Sequence, residues 1–315
     1  MPEGPLRFLM VADAVVIPLG VALVIGSMAS QLWLWGRTSS WRGDVLRQEL
    51  ATRRFGFALT LAGLVAAPWF EAAVIAEVPL MDAAPTVVSL LGQTHFGKTW
   101  LVGSAAWLVS GALLLSRRSV DDRPVRLAAG ALSVALLLAM RSVVSHAGSR
   151  GDATLDVAVD WLHLAVVSLW VGIVWTGARL ALPSAAMPGP SRNDAIRWVR
   201  RLSTTATAAL VLVVATGLFK AWRAFEPEAS IRPFVDSPYG QALAVKLVFV
   251  AVAVALGGAN RFRVLPALLH QLATADGDEP WRRRLIAILR FEALTLLLVL
   301  VAAAVLSATE PPGEA

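Results

Sequence analysis

The sequence predicts an all-α polytopic integral membrane protein, a bundle of eight transmembrane helices with both termini outside (periplasmic). Its 315 residues are 57% hydrophobic and only 16% charged, whereas soluble domains carry about 25% charged residues. Eight apolar runs are each near the ~20 residues that a helix needs to cross a bilayer. Arginine is concentrated in every second loop between these runs. Together these observations predict the fold class and its orientation.

The eight apolar runs define the predicted helices in chain order. The third is short, and the first is too long for a signal peptide and is followed by five arginines, so we interpret it as a retained helix. The runs are Phe8–Trp35, Phe55–Ala76, Trp100–Leu115, Val125–Val144, Val157–Leu182, Ser203–Trp222, Tyr239–Ala259 and Leu285–Leu306.

Four alternate loops carry most of the 28 lysine and arginine residues. Cationic loops stay in the cytoplasm, so this distribution sets the orientation and accounts for the net charge of +6. Arginines spread over four loops without a reading motif do not indicate nucleic-acid binding. The loop arginines are Arg37, Arg42, Arg47, Arg53 and Arg54; Arg117, Arg118, Arg123 and Arg126; Arg179, Arg192, Arg197, Arg200 and Arg201; and Arg261, Arg263, Arg282, Arg283, Arg284 and Arg290.

The chain has no linker that would divide it, so residues 1–315 are predicted to form a single transmembrane domain without a soluble domain. We therefore expect no enzyme of the kind built on soluble folds. The chain has no cysteine, which excludes thiolate metal ligands.

Residues Gly92–Thr99 match the phosphate-loop pattern G-x-x-x-x-G-K-[ST]. That pattern binds phosphate only where a strand precedes the loop and a helix follows it. Here an outer loop precedes a transmembrane helix, so we expect no nucleotide.

Three of the four histidines, His95, His146 and His163, are predicted to lie on the outer side of the membrane. Ionisable groups inside spans are functional candidates by default. The others predicted near this side are Asp13, Glu71, Asp156, Asp160 and Lys246.

Helical spacing places Asp156, Asp160, His163 and Trp170 on one face of the fifth helix. Asp160 could therefore hold one ring nitrogen of His163, as metal-bound imidazoles require. Trp161 and Trp170 are the tryptophans expected to shape a pocket.

Structural readings of the same residues stay open. Asp13 or Glu71 could form an ion pair with Lys246. Pro68, three residues before Glu71, is expected to kink the second helix and free a carbonyl. Met140 lies near the outer face, where its thioether could bind a soft metal ion or simply pack.

The segment Asp160–Leu164, running on to Leu169–Gly172, resembles the D-x-x-H-L…W-x-G helix of the copper-resistance D (CopD/PcoD) membrane proteins. Ser145–Ala147 is similar to a turn of that family, and Thr94–Trp100 to its T-x-F-G-x-x-W turn. The family's T/S-G…T-x-Y-G-x-x-L-x-x-K…N-R core is similar to segments that we list here: Thr216–Leu218, Ser237–Gly240 with Leu243 and Lys246, and Asn260–Arg261 before Pro266.

The resemblance is most specific over about residues 160–266 and implies a role in copper handling at the bacterial inner membrane. Family members are assigned to copper uptake, often beside a small periplasmic copper-binding partner of the CopC type. Imidazole suits copper in either oxidation state, so His163, His146, His95 and Asp160 are the predicted metal site. The alternative from another class is a b-type haem redox protein with His163 and His146 as axial ligands; a third is an accessory subunit whose histidines only pack.

Overall fold

The computed structural model describes residues 4–36, 40–116, 124–180, 192–224, 237–274 and 279–309. Arg37, Arg117, Arg118, Arg123 and the end of the fifth predicted run lie outside these residues, as do both termini. Within the described ranges the chain forms helices and no strand. The α-helices are α1 (Pro5–Trp33), α2 (Ser40–Ala76), α3 (Ala84–Gln93), α4 (His95–Leu114), α5 (Pro124–Val143), α6 (Leu155–Leu180), α7 (Arg192–Ala224), α8 (Pro238–Ala259), α9 (Leu265–Thr274) and α10 (Glu279–Ser307).

Seven helical segments in the described part are long and apolar enough to cross a membrane. Each overlaps one of the predicted apolar runs, and the all-α membrane fold is confirmed. Most of the remaining run lies in α4, which has 20 residues, includes Lys98 and is not among the seven. The count of eight spans and the outward orientation of the termini stay predictions.

Helix α2 extends well beyond the apolar run that predicted it. Helix α2 begins at Ser40, so Arg53 lies within it and is 1% exposed. Its guanidinium donates to Ser27 Oγ at 3.0 Å, Gln31 Oε1 at 2.9 Å and the Leu114 carbonyl at 3.3 Å. The prediction that Arg53 is a loop residue was therefore wrong, because three polar acceptors on α1 and α4 replace its water.

Helix α1 is central: it packs against α2, α6 and α10. It crosses α6 where Gly26 meets Gly172, so closely that a Cβ on Gly172 would lie 2.0 Å from the Ala22 carbonyl oxygen. Small residues allow such approaches in membranes, where packing rather than hydrophobicity drives helix association. The α1–α6 contact fixes the helix that carries His163.

Pro68 frees a carbonyl in α2, as the sequence predicted. A proline has no N–H for the carbonyl four residues earlier, which here belongs to Leu64. The indole N–H of Trp100 on α4 donates to the Leu64 carbonyl at 3.0 Å. The vacant acceptor therefore attaches α4 to α2.

We expect Gly172→Ala to lower the thermal stability of the purified protein, because its methyl group has no space at the α1–α6 crossing. Overpacking of this kind costs roughly 1–3 kcal/mol. The matched control is Gly258→Ala in α8, where an added Cβ meets nothing within 4 Å. Melting temperatures in detergent measure the effect, and equal temperatures for the two variants would contradict this account of the crossing.

Candidate metal site at the histidine end of the bundle

His95, His146 and the first turns of α6 lie at one end of the bundle, here called the histidine end. Its best-connected residue is Asp160, which is 5% exposed. The carboxylate accepts from Ser142 Oγ at 2.8 Å and Ser145 Oγ at 3.4 Å, and forms an ion pair with Lys220. Asp160 therefore joins α6 to α5, to the turn after α5 and to α7.

His163 lies one helical turn further into the bundle and is half-buried. Its Nδ1 is 2.8 Å from Thr216 Oγ1 on α7. Thr216 Oγ1 in turn donates its single proton to the Leu212 carbonyl at 2.6 Å. Because a hydroxyl has one proton, Thr216 accepts from Nδ1–H, and the unprotonated nitrogen of a neutral His163 ring is Nε2.

The helical spacing had suggested that Asp160 holds the His163 ring, but Thr216 does so instead. Asp160 is one turn away on the same helix, but its carboxylate pairs with Lys220 and accepts hydrogen bonds from Ser142 and Ser145. A face shared within one helix says which residues are neighbours but not which partners other helices supply. Thr216 begins the segment Thr216–Leu218, which resembles part of the family's core. Lys220 lies four residues after Thr216.

His146 is exposed and begins a short 3₁₀ helix, His146–Arg150. Ser145 caps this helix by accepting from the Ala147 N–H at 3.2 Å, and the same hydroxyl reaches Asp160. The turn that carries His146 is therefore attached to α6 one turn before His163.

His95 is also at this end, and its Nε2 lies 3.0 Å from Asp152 Oδ1, with both side chains more than half exposed. The surrounding Gly92–Thr99 segment joins α3 to α4, and no strand precedes it. Thr94 Oγ accepts from the Gly97 N–H at 2.9 Å and caps α4. These residues have local structural roles and lack the strand that a phosphate loop needs.

The predicted acidic residues have separate partners. Asp156 accepts two hydrogen bonds from Arg223, both at 2.8 Å. Asp13 interacts with Arg141, whose guanidinium lies 5.5 Å from the centre of the Trp100 ring. Glu71 is half-buried on α2 and, among the described residues, has no hydrogen bond or ion pair.

The proposed pairing of Lys246 with Asp13 or Glu71 is wrong, because Lys246 interacts instead with Asp160 and Lys220 near His163.

The Trp161 indole N–H donates to the Ala135 carbonyl at 2.9 Å, so this residue attaches α6 to α5. Met140 packs beside Gly103 at the α4–α5 contact.

Within the residues that the structure describes, no group of three or more histidine and acidic side chains is positioned to hold a metal ion. The histidine end therefore offers imidazoles individually: one oriented by Thr216 and two at the surface. Any complete metal coordination needs a second donor to approach His163.

Glu292 on α10 is a buried acidic residue that the sequence analysis did not single out. It is 3% exposed, and Oε1 accepts from the Trp170 indole N–H at 3.3 Å. Arg290 is exposed, because residues two apart on a helix do not face each other. The predicted pocket role of Trp170 thus becomes a contact with a buried carboxyl group.

The chain is similar to proteins that are named for copper resistance and copper transport. The family profile described as "Copper resistance protein D" matches residues 196–306, which include Thr216 and Glu292 but not α6. "Copper resistance protein D" of Pseudomonas syringae pv. tomato is 28% identical over 196 residues, 59% of this chain and 60% of that protein. "Copper transport protein CutJ" of Bacillus subtilis (strain 168) is 28% identical over 178 residues, 56% of this chain and 30% of that protein. The matched part therefore spans less than two thirds of either relative, and no solved structure matches the chain.

We expect Asp160→Ala to destabilise the protein more than Asp156→Ala does. Removing the buried Asp160 carboxylate leaves Ser142 and Lys220 without their acceptor, at a cost of roughly 1–3 kcal/mol, whereas the ion pair of Asp156 is more exposed. The double substitution Asp160→Ala/Lys220→Ala should recover part of the loss. Melting temperatures of wild type and the three variants in detergent test the ranking. A smaller decrease in melting temperature for Asp160→Ala than for Asp156→Ala would refute it.

Proposed function

We propose that the chain, whose residues 196–306 match the profile described as "Copper resistance protein D", binds copper at its histidine end and moves the ion across the membrane. The site lies at the periplasmic face of the bacterial inner membrane in this proposal, and the copper is the cargo. The direction is inward, as copper uptake requires. The supporting observations are the family match, the apolar helices and the orientation of His163.

The orientation of His163 carries the proposal. A metal-bound imidazole usually donates its other ring N–H to an oxygen, which fixes the tautomer and aims the ligand nitrogen. Thr216 Oγ1 accepts from Nδ1–H in this way, which leaves Nε2 to bind copper. Gly217, beside Thr216, leaves room at the ring: an added Cβ would lie 3.9 Å from His163 Cε1.

His146 is the proposed second ligand. Its turn is attached to α6 through Ser145 and Asp160, and the exposed ring can reach incoming ions. Imidazole binds copper in both oxidation states, so the donor type fits. His95 is the outermost imidazole and would act in capture together with Asp152.

Asp160 has a supporting role in this proposal. Its carboxylate offsets the charge of Lys220 beside His163, which reduces the repulsion that an arriving cation meets. The exposed histidines suit delivery of copper by a small periplasmic protein of the CopC type. Such a partner would supply the ligands that the histidine end does not itself bring together.

We expect Thr216→Val to weaken copper binding about 10- to 100-fold, the usual effect of removing the partner of a ligating histidine. Valine keeps the size of the side chain and removes the hydroxyl. The matched control, Thr216→Ser, retains the hydroxyl and should bind nearly as wild type does. Isothermal titration of the purified protein with copper measures the affinities, with His163→Ala expected to remove the oriented site.

Unchanged copper affinity in both Thr216→Val and His163→Ala would overturn the site assignment. A haem absorption band in the purified protein that disappears in His163→Ala would establish the b-type haem function instead. Copper accumulation by membrane vesicles tests transport separately from binding.

A further inference from the structure

The carboxyl group of Glu292 lies deep between three helices. Only 3% of the Glu292 surface is exposed. The Trp170 indole N–H on α6 donates to Oε1 at 3.3 Å, and α8 passes so close that a Cβ on Gly257 would lie 3.3 Å from the same oxygen. The glycine therefore makes the space that this carboxyl group occupies.

The surroundings of Glu292 contain no positive charge that would balance a carboxylate. Helix α10 packs against α1, α6, α8 and α9 and against the turn Asn260–Val264. Among the described residues of these elements, no lysine, arginine or histidine acts electrostatically on Glu292, and its single hydrogen bond comes from neutral Trp170. An unpaired charge inside a membrane is expensive and marks ion or proton pathways.

Glu49 offers an internal contrast. It is 2% exposed, as deeply buried as Glu292, but Arg53 and Arg179 act on its carboxylate. Glu49 Oε1 also lacks a hydrogen-bond partner among the described residues, so the two glutamates differ in the cations near them rather than in burial or hydrogen bonding. Arg53 and Arg179 balance a charge on Glu49, whereas no lysine, arginine or histidine among the described residues acts on Glu292.

A second unsatisfied oxygen lies close in the fold to Glu292. Asn260 Oδ1 is buried and has no hydrogen-bond partner among the described residues. Asn260 follows Gly257 by three residues, directly after α8, and the turn that it begins packs against α10. It also begins a π-helical turn, Asn260–Val264, a feature that occurs frequently at functional sites.

We propose that Glu292 is a proton-binding site that takes up and releases one proton while copper crosses the bundle. A carboxyl group with an amide oxygen nearby offers too few ligands for a metal, and no group of three metal-binding side chains exists among the described residues. A proton needs only one carboxylate oxygen. Oε2 has no hydrogen bond among the described residues and is the atom assigned to carry the proton.

This inference rests on the proposed copper transport, because it assigns the coupling step to a second site. Trp170 follows His163 by seven residues, two helical turns or about 10 Å along α6. His163 and Trp170 therefore lie on the same face of α6, with the copper site towards the histidine end. Glu292 on α10 contacts that face through its hydrogen bond from Trp170. Glu292 does not contact any of the proposed copper ligands.

Labelling with dicyclohexylcarbodiimide tests the proton site without copper. This apolar reagent adds to protonated carboxyl groups, and mass spectrometry of peptides from the full protein in lipid nanodiscs locates the adduct. We expect labelling of Glu292 that declines as the pH is raised. Absence of a Glu292 adduct across the pH series would overturn the inference.

Glu292→Gln then tests coupling. The neutral amide keeps the shape and a hydrogen-bond acceptor for Trp170 but cannot release a proton. We expect copper binding at the histidine end to be unchanged, while vesicle uptake driven by a pH gradient falls about tenfold, a change of ~1.4 kcal/mol. Glu292→Asp, which retains a carboxyl group, should keep part of the uptake.

The two proposals fail in different ways. Gradient-driven uptake by Glu292→Gln equal to that of wild type would overturn the proton site and leave the copper site intact. Copper affinity that is unchanged in both Thr216→Val and His163→Ala, with normal carbodiimide labelling of Glu292, would overturn the copper site while the proton site remains.

Discussion

The histidine end depends on the buried Asp160 carboxylate. A charge at this depth is stable only because α5, the turn at Ser145 and α7 each supply a donor. Those same contacts decide where Thr216 lies relative to His163, since Lys220 and Thr216 are one turn apart on α7. The electrostatic requirement of one aspartate therefore positions the threonine that orients the imidazole.

Helix α6 combines two kinds of constraint. One is the crossing with α1 at Gly172, where backbone contacts backbone; the other is a polar face occupied by Asp160, His163 and Trp170. Trp170 and Gly172 are two residues apart and so project in different directions. The W-x-G segment can therefore hold Glu292 on α10 with the indole while it packs against α1 through the glycine.

The sequence predicted the apolar helices, the carbonyl freed by Pro68 and the grouping of three histidines, because these follow from local composition and periodicity. It did not predict the partners across helices: Thr216 for His163, Asp160 for Lys246, or the buried acceptors of Arg53. Such partners depend on which helices become neighbours, and a single sequence does not contain that information. Glu292 was not singled out for the same reason, since its burial depends on how α6 and α8 pack against α10.

Buried polar groups in this bundle separate into compensated and uncompensated ones. Arg53 and Glu49 are opposite charges with Arg179 nearby, and Arg53 also donates to polar neighbours on α1 and α4. Glu292 has no cation acting on it among the described residues, although an apolar side chain of equal size would pack there without the cost of burying a carboxyl group. A group that costs stability in the resting protein is explained when it gains a partner during function. A proton is the partner that fits a carboxyl group without a cation, and the Trp170 that donates to Glu292 lies two turns from His163 on α6.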